Sequence, residues 1–362
     1  MLLPPGKGKK PQLDLLDLPK YTRETLGLSG VNFSTDLLAG ADRARLEAIR
    51  ERADRSGCAC LLLVEMDPQD FGSTNEANVG AATERAIRVV QAAQILGCSA
   101  ASIKVKASDD DTTLARAAAA LKPVVERAEK LDINLLISPH TGLTERPERV
   151  TELLKKVGGF RIGTYPDFET AAASKDPAAY LHRLTPYATA VCATTVRLID
   201  AALPPVVLTP ASKAPLIDDL DDEELAPAPA KGKGKKGAKA ASPAPGAESE
   251  EDGKGKKGKG KKAAAPTPPP APEPEEDAEL EDAELDELEA LIDEAIAEEE
   301  GPQVIVYRHE PYDLSVMINA ISSVGYDGPL SIDYRGKDDV TQAIIQSRDT
   351  LLGLIAAAKA AG

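Results

Sequence analysis

The sequence predicts an α/β fold with a parallel sheet, either a closed (β/α)8 barrel or an open doubly wound sheet. Helix-length amphipathic segments alternate with short apolar runs over residues 13–197 and again after residue 303. The short runs are apolar throughout, which is typical of strands that are buried on both faces of a parallel sheet. No GxGxxG motif follows an early strand, so the chief sign of a dinucleotide-binding open sheet is missing.

Capping residues indicate where the helices begin and end. Two amphipathic segments, 41–57 and 78–97, each end at a glycine, the residue type that commonly closes a helix. Carboxylates open the helix predicted at 109–132, where the helix macrodipole favours negative charge. The other predicted helices cover residues 18–27, 146–159, 176–184, 312–325 and 338–362.

The sequence contains seven strand-like runs, whereas a (β/α)8 barrel needs eight. The missing strand should precede the helix at 18–27, but the segment before it is rich in Pro, Gly and Lys and makes a poor strand. We therefore expect the first strand either to be lost or to be supplied irregularly by the N-terminus. The predicted strands cover residues 29–35, 58–66, 99–106, 133–140, 160–167, 188–197 and 329–334.

An insert of different composition, residues 203–302, divides the predicted barrel into residues 13–202 and 303–362. The insert holds 15 of the 28 prolines and no aromatic residue, so it cannot bury enough apolar surface to offset its ordering entropy. We expect it to be disordered, with one weak amphipathic helix at 278–299. Because it follows the seventh strand, we expect it to leave the barrel at the C-terminal face, above the mouth.

The charge of the chain is concentrated in this insert. It carries 12 Lys against 26 Asp and Glu, a net of −14 out of −16 for the whole chain. The barrel is therefore close to neutral, which excludes the basic surface of a nucleic-acid-binding domain. The insert is Lys-rich over residues 231–262 and acidic over 273–300. Such arms are either a solvated spacer, or they attract one another or a charged protein partner and so gate or recruit at the mouth.

Cysteine spacing and hydropathy predict a cytoplasmic protein that does not enter a membrane. Cys58, Cys60, Cys98 and Cys192 match neither a zinc ribbon nor a redox pair, so we expect free, buried thiols in a reducing compartment. At the N-terminus apolar residues precede the lysines, which is the reverse of a secretory signal. No window approaches the about 20 apolar residues of a membrane span.

Five segments resemble, in order, the sugar phosphate isomerase/epimerase family of the xylose isomerase-like barrel superfamily. GYDGPLSIDYRG is the most specific of them, because the family writes its last strand in nearly these letters. The resemblance covers roughly residues 13–200 and 303–355, and it implies the closed barrel. The other four segments are AAQILGCSAASIKV, INLLISPHTGL, FRIGTYPDFE and LTPYATAVCATTVR.

The resemblance implies a metal site at the C-terminal face of the barrel. In the family, a Glu, an Asp, a His and a Glu at the ends of the last four strands hold one divalent metal. The metal polarises the substrate carbonyl and hydroxyl, and the two Glu transfer protons on opposite faces of the sugar carbon. This chemistry implies a sugar or sugar phosphate as the substrate and Mn²⁺, Mg²⁺ or Zn²⁺ as the cofactor.

This chain departs from the family at two of the four ligand positions. Asp167 is retained, and Asp333 stands where the family has its last Glu. Ser138 stands at the first Glu and Cys192 at the His. The catalytic candidates are therefore Asp333 and Ser138, although a serine without an activating partner is no base. Asp167, Asp333, Cys192 and His140 form the candidate metal set, which is chemically suited to zinc.

The neighbouring polar residues supply the candidate substrate contacts. His140 matches a family His two positions after the lost Glu, and Thr194 stands where the family has a Lys. Lys104, near the end of its strand, is the third substrate-binding candidate. Two functions follow: an isomerase or epimerase with a rearranged metal site, or a catalytically inactive barrel without a metal. The inactive barrel would serve as a binding or scaffold module.

Each candidate also has a purely structural interpretation. Asp167 could cap a turn, Cys192 could be a small core residue, and His140 could be a hydrogen-bonded loop residue. His182 and His309 are expected at the surface or in loops.

Overall fold

The structure, a computed structural model, describes residues 13–201, 206–208 and 303–361. These residues form a barrel of parallel strands surrounded by helices. The strands are β1 (Gly30–Ser34), β2 (Ala59–Val64), β3 (Ala100–Lys104), β4 (Asn134–Ser138), β5 (Ile162–Thr164), β6 (Val191–Thr195), β7 (Leu198–Ala201), β8 (Val206–Val207), β9 (Gln303–Val304), β10 (Tyr307–His309) and β11 (Leu330–Tyr334). The helices are α1 (Leu18–Glu24), α2 (Arg43–Ser56), α3 (Glu76–Leu96), α4 (Asp111–Lys130), α5 (Pro147–Val157), α6 (Phe168–Ala173), α7 (Pro177–Leu184), α8 (Leu314–Ser323) and α9 (Val340–Ala361).

The barrel wall consists of β1 to β6 and β11. Strands β1 to β5 form one parallel ladder in chain order. Strand β6 joins β5 through isolated parallel bridges, one of which pairs Asp167 with Cys192. Strand β11 pairs with β6 in parallel, with Asp333 beside Thr194. These strands lie at the seven predicted positions, which confirms the barrel.

The seam between β11 and β1 is closed by side chains. The side-chain amide of Asn32 donates to the hydroxyl of Ser331 at 2.8 Å. In the helical layer the Arg348 guanidinium donates to the carbonyl of Leu26 at 2.6 Å. The missing first strand is expected in the segment before α1. Residues 13–17 of that segment form a turn that leads into α1, and the rest of the segment lies outside the described residues. Within the described part of the chain, the barrel therefore closes without a strand before α1.

Two apolar clusters fill the barrel and its helical layer. The larger cluster packs between strands and helices and contains most of the buried residues. Successive side chains of a strand point to opposite faces. Because the larger cluster takes the face toward the helices, the smaller cluster lies on the other face, inside the barrel. Side chains two or four positions further along the same strands therefore point into the lumen above it. The inner cluster consists of Leu62, Ala100, Leu136, Tyr165, Ala190 and Cys192.

A narrow antiparallel ribbon connects β6 to α8. It is built from β7 paired with β10 and from β8 paired with β9. Residues 206–208 fall within the insert that the sequence predicts, yet they pair in this ribbon and Leu208 is buried. The remainder of that insert, with the helix predicted at 278–299, lies outside the described residues.

The ribbon runs along α9 and away from the ends of the barrel strands. Thr195, at the end of β6, meets Ser347 with 2.9 Å between the hydroxyl oxygens. The backbone N–H of Tyr307 donates to Thr350 at 3.1 Å, and the end of the ribbon lies against Gly353. From Ser347 to Gly353 the helix rises about 9 Å. The ribbon, which includes residues 206–208 of the predicted insert, therefore lies along α9 at the flank of the barrel. The position of the insert above the mouth stays a prediction, because the rest of the insert lies outside the described residues.

Two further predictions concern the cysteines and membrane spans. All four cysteines are free and buried, as expected. Among the described helices, none is both long and apolar enough to cross a membrane.

Candidate functional site

The ends of β5, β6 and β11 place three polar side chains on one side of the barrel mouth. They belong to Asp167, Thr194 and Asp333. One oxygen of Asp167, Oδ1, accepts from the backbone N–H of Glu169 at 2.7 Å and of Thr170 at 3.1 Å, so Asp167 caps α6. The other, Oδ2, accepts from the hydroxyl of Thr194 at 3.1 Å. Asp167 thus has the structural role considered from the sequence while it also faces the mouth.

The Arg335 guanidinium lies between the two carboxylates. Its Nη2 donates to Oδ2 of Asp333 at 2.7 Å and to Oδ2 of Asp167 at 3.2 Å, and its Nε donates to Asp333 at 3.0 Å. Its Nη1 pairs with Glu169. Burial alone would lower the pKa of Arg335. The neighbouring carboxylates of Asp333 and Asp167 raise this pKa by more than burial lowers it, so the side chain stays cationic.

Cys192 lies beneath this group and is a buried thiol. Burial, reinforced by the charges of Asp167 and Asp333, raises the pKa of Cys192 well above its usual value. Its sulfur lies 3.6 Å from the hydroxyl of Thr194. Metals are bound by the thiolate, and this environment keeps the thiol protonated. Within the described residues, Cys192 packs in the apolar cluster inside the barrel, which is the structural role considered from the sequence.

The opposite side of the mouth carries Ser138, Lys104 and His140. Ser138 ends β4 directly beside Lys104, which ends β3. Ser138 is 5% exposed, and its hydroxyl has no hydrogen-bond partner. Lys104 donates to the carbonyl of Met66 at 3.3 Å. Partial burial, with the charges of Lys104 and Lys106, lowers the pKa of His140.

The candidate metal set is brought together only in part, because Asp167, Cys192 and Asp333 are neighbours and His140 is not joined to them. No hydrogen bond or ion pair in the described residues joins His140 to Asp167, Cys192 or Asp333. Nor do the described residues contain any group of three or more His, Cys, Asp or Glu side chains placed to hold a metal ion. Asp167 and Asp333 already share a cation in Arg335. The residues present therefore do not fit the divalent metal that the resemblance implies.

The substrate candidates are divided in the same way. His140 and Lys104 lie on the same side of the mouth, close enough for the lysine charge to affect the imidazole. Thr194 is fully buried on the other side, and its hydroxyl is donated to Asp167.

Glu65, which the sequence did not single out, is a fully buried carboxylate just after β2. It accepts from Arg85 at 2.6 Å, from the Thr35 hydroxyl at 3.0 Å and from the backbone N–H of Asp67 at 3.1 Å. In the sequence, the feature that could have identified Glu65 is a charged residue directly after an apolar strand. Since its oxygens are satisfied by these donors, Glu65 joins β2 to α3 and is not free for ligand chemistry.

The two remaining histidines differ from each other. His182 is exposed and hydrogen-bonded to Ser323 at 2.9 Å, as predicted for a surface residue. His309 is buried, contrary to the prediction. Its Nε2 accepts from the backbone N–H of Val196 at 3.0 Å, so its Nδ1 is the nitrogen that donates to the carbonyl of Tyr312, also at 3.0 Å. A neutral imidazole thereby holds the start of the ribbon in place.

Comparisons with known proteins agree with this architecture. A family model described as "Xylose isomerase-like TIM barrel" matches residues 23–191. The structure of an L-ribulose 3-epimerase aligns with a TM-score of 0.58 at 12% identity, covering 96% of this chain and 90% of that one. A xylose isomerase-like TIM barrel protein from Mycobacterium smegmatis, in complex with magnesium, gives 0.52 at 12% identity and the same coverage. No curated protein sequence matches the chain. The resemblance to this superfamily is confirmed, and at such identities the structures establish the fold alone.

Proposed function

We propose that this chain, which resembles the xylose isomerase-like TIM barrels, is a binding barrel that works without a divalent metal at its mouth. Fold does not determine chemistry, so the proposal depends on the residues at the mouth. The observation that carries it is the position of the Arg335 guanidinium between Asp167 and Asp333.

Arg335 leaves little for a metal ion to bind. Oδ2 of Asp333 accepts two guanidinium hydrogen bonds, and Oδ2 of Asp167 accepts one from Arg335 and one from Thr194. Charge-assisted bonds of this kind are stronger than neutral ones. A divalent cation would have to displace the Arg335 guanidinium from these oxygens. It would then still lie close to the positive charge of Arg335. One cation is therefore already shared by the carboxylates on this side of the mouth.

The pair of proton-transfer groups is also incomplete. Ser138 stands where the family has a carboxylate, and its hydroxyl is not hydrogen-bonded to any base. Asp333 remains, but two donors of Arg335 hold it. Abstraction of a proton from carbon needs a base that is free to accept it, and epimerisation needs an acid on the opposite face as well. These contacts support binding rather than sugar isomerisation.

Metal content tests the proposal directly. Purified full-length protein should contain well under one equivalent of Mn²⁺, Mg²⁺ or Zn²⁺ by elemental analysis. Arg335→Met should raise Mn²⁺ affinity roughly tenfold or more, because it removes a positive charge a few ångströms from the carboxylates. Adding Ser138→Glu to that variant should raise the affinity further.

Arg197→Met is the matched control. Arg197 is similarly exposed and pairs with Glu310 at 3.2 Å, so its loss should leave Mn²⁺ affinity unchanged. Stoichiometric metal in the unaltered protein, lost on Asp167→Ala, would contradict the proposal. Metal-dependent exchange of ketose protons with D₂O would favour the alternative, an isomerase or epimerase. Contact of the charged insert with a protein partner remains a separate prediction.

A further inference from the structure

The lumen-facing positions of β3 and β4 form a second polar surface at the mouth. Ala100 and Leu136 belong to the cluster inside the barrel. Side chains at even spacing from them on the same strands face the same way. Ser102 and Lys104 on β3, and Ser138 on β4, therefore point into the lumen.

Two hydroxyls on this surface are buried without a partner. Ser102 is fully buried and Ser138 is 5% exposed, and neither Oγ has a hydrogen bond. An unpaired buried hydroxyl costs free energy, so buried hydroxyls in folded proteins normally have partners. Ser138 also pairs with Lys104 in the strand register, and both side chains face the lumen. This pairing indicates a ligand with hydrogen-bond acceptors.

The charge around this surface is positive. Lys104, Lys106 and His140 lie near one another, because the loops after β3 and β4 run side by side and form a parallel bridge between Ala107 and Gly142. Lys104 uses one donor on the carbonyl of Met66, and an ammonium has three.

The acidic groups near this surface are bound elsewhere. Asp70 lies 3.9 Å from Lys106, and Glu145 accepts from the backbone N–H of Gly142 at 3.2 Å. Glu65 is held by Arg85. Asp167 and Asp333 on the far side are both ion-paired with Arg335. No carboxylate in the described part of the chain forms an ion pair with Lys104.

We infer that Lys104, Ser138 and His140 form a subsite for an oxyanion, the phosphate or carboxylate group of a small molecule. The ammonium of Lys104 and the hydroxyl of Ser138 donate to its oxygens from the lumen wall, and an N–H of His140 donates from the loop above. The inference rests on the proposed function, since it names the chemical class that a metal-free mouth would bind.

The test titrates the full-length protein with inorganic phosphate and, separately, with acetate. Binding is followed by calorimetry and by the imidazole NMR signals of the three histidines. Phosphate should bind saturably and shift the His140 signals while those of His182 and His309 stay in place. Lys104→Met should weaken binding about tenfold or more, since it removes a charged donor. Ser138→Ala should weaken it by a smaller factor.

Lys122→Met is the control, because it removes the same charge from an exposed position on α4. It corrects for phosphate that binds lysines elsewhere, and circular dichroism verifies that each variant is folded. Tighter phosphate than acetate identifies a phosphate subsite, and the reverse order identifies a carboxylate subsite. Equal affinities in the Lys104→Met and Lys122→Met variants, or His140 signals that do not move, would overturn the inference. Metal content is measured separately, so failure here leaves the proposed function standing.

Discussion

Asp167 has two separate roles, one for each carboxylate oxygen. Oδ1 caps α6 through the backbone N–H groups of Glu169 and Thr170, whereas Oδ2 accepts from Thr194 and Arg335. An asparagine can keep the first role but not the second, since Asn is a good cap whose NH₂ cannot accept hydrogen bonds.

Asp167→Asn should therefore destabilise the protein less than Asp167→Ala, by about 1 kcal/mol, the usual value of a cap. The measurement is the free energy of urea unfolding. The same difference should persist when Arg335→Met is already present, because the cap does not use Oδ2. Equal losses for the two variants would mean that the capping bonds contribute nothing.

The burial and hydrogen bonding of His309 predict how the stability of the protein depends on pH. Burial lowers the pKa of His309, and its Nε2 must be unprotonated to accept from Val196. A group whose pKa is lowered in the folded state contributes stability that is complete above its unfolded pKa, about 6.5. That contribution is lost as the pH falls through the lowered value.

Unfolding midpoints in urea should therefore decrease as the pH falls below about 6.5. His309→Gln should remove part of this slope and leave the share of His140, whose pKa is also lowered. His182→Gln, at an exposed position, should leave the slope unchanged. A slope that is identical in all three proteins would contradict the role assigned to His309.

The ribbon and α9 are fitted to each other at a glycine. A Cβ on Gly353 would lie 2.4 Å from a methyl group of Val306 and 3.4 Å from one of Val304. A glycine inside a helix normally costs about 0.5–1 kcal/mol relative to alanine, so it needs a packing reason. Here the reason is the close approach of the ribbon.

Gly353→Ala should destabilise the chain by about 1–3 kcal/mol, the usual cost of overpacking, despite its better helix propensity. Gly80→Ala in α3 is the matched control, because a Cβ there meets nothing within 4 Å. It should stabilise the protein by about 0.5–1 kcal/mol. Both values come from urea unfolding, and stabilisation by Gly353→Ala would show that the ribbon does not pack as described.

At the scale of the whole molecule, we predict that the barrel is stable without its insert and that the ribbon marks the boundary between the two. Val304, Val306 and Leu208 are all buried, so the ribbon contributes apolar area to the folded unit. The composition of residues 209–302 predicts that this stretch buries little.

Replacing 209–302 by a short Gly/Ser linker should leave the melting temperature within a few degrees, since it keeps the ribbon intact. Replacing 206–304 should lower it by several degrees more, because burial of one aliphatic side chain is worth about 1.5–3 kcal/mol. Calorimetric melting of both variants decides this. Equal melting temperatures would place the boundary of the folded unit elsewhere.

The sequence by itself determined the strand positions, the glycine helix ends and the loss of two family ligands. These depend on local pattern: an apolar run is buried wherever it folds, and a serine cannot replace a carboxylate. Only the tertiary structure decided that Arg335 pairs with the carboxylates of the mouth, that His309 is buried, and that the ribbon lies along α9. Arg335 and Asp167 are 168 positions apart in the chain. Their contact exists because β5, β6 and β11 end side by side, and no local pattern encodes which strand ends meet.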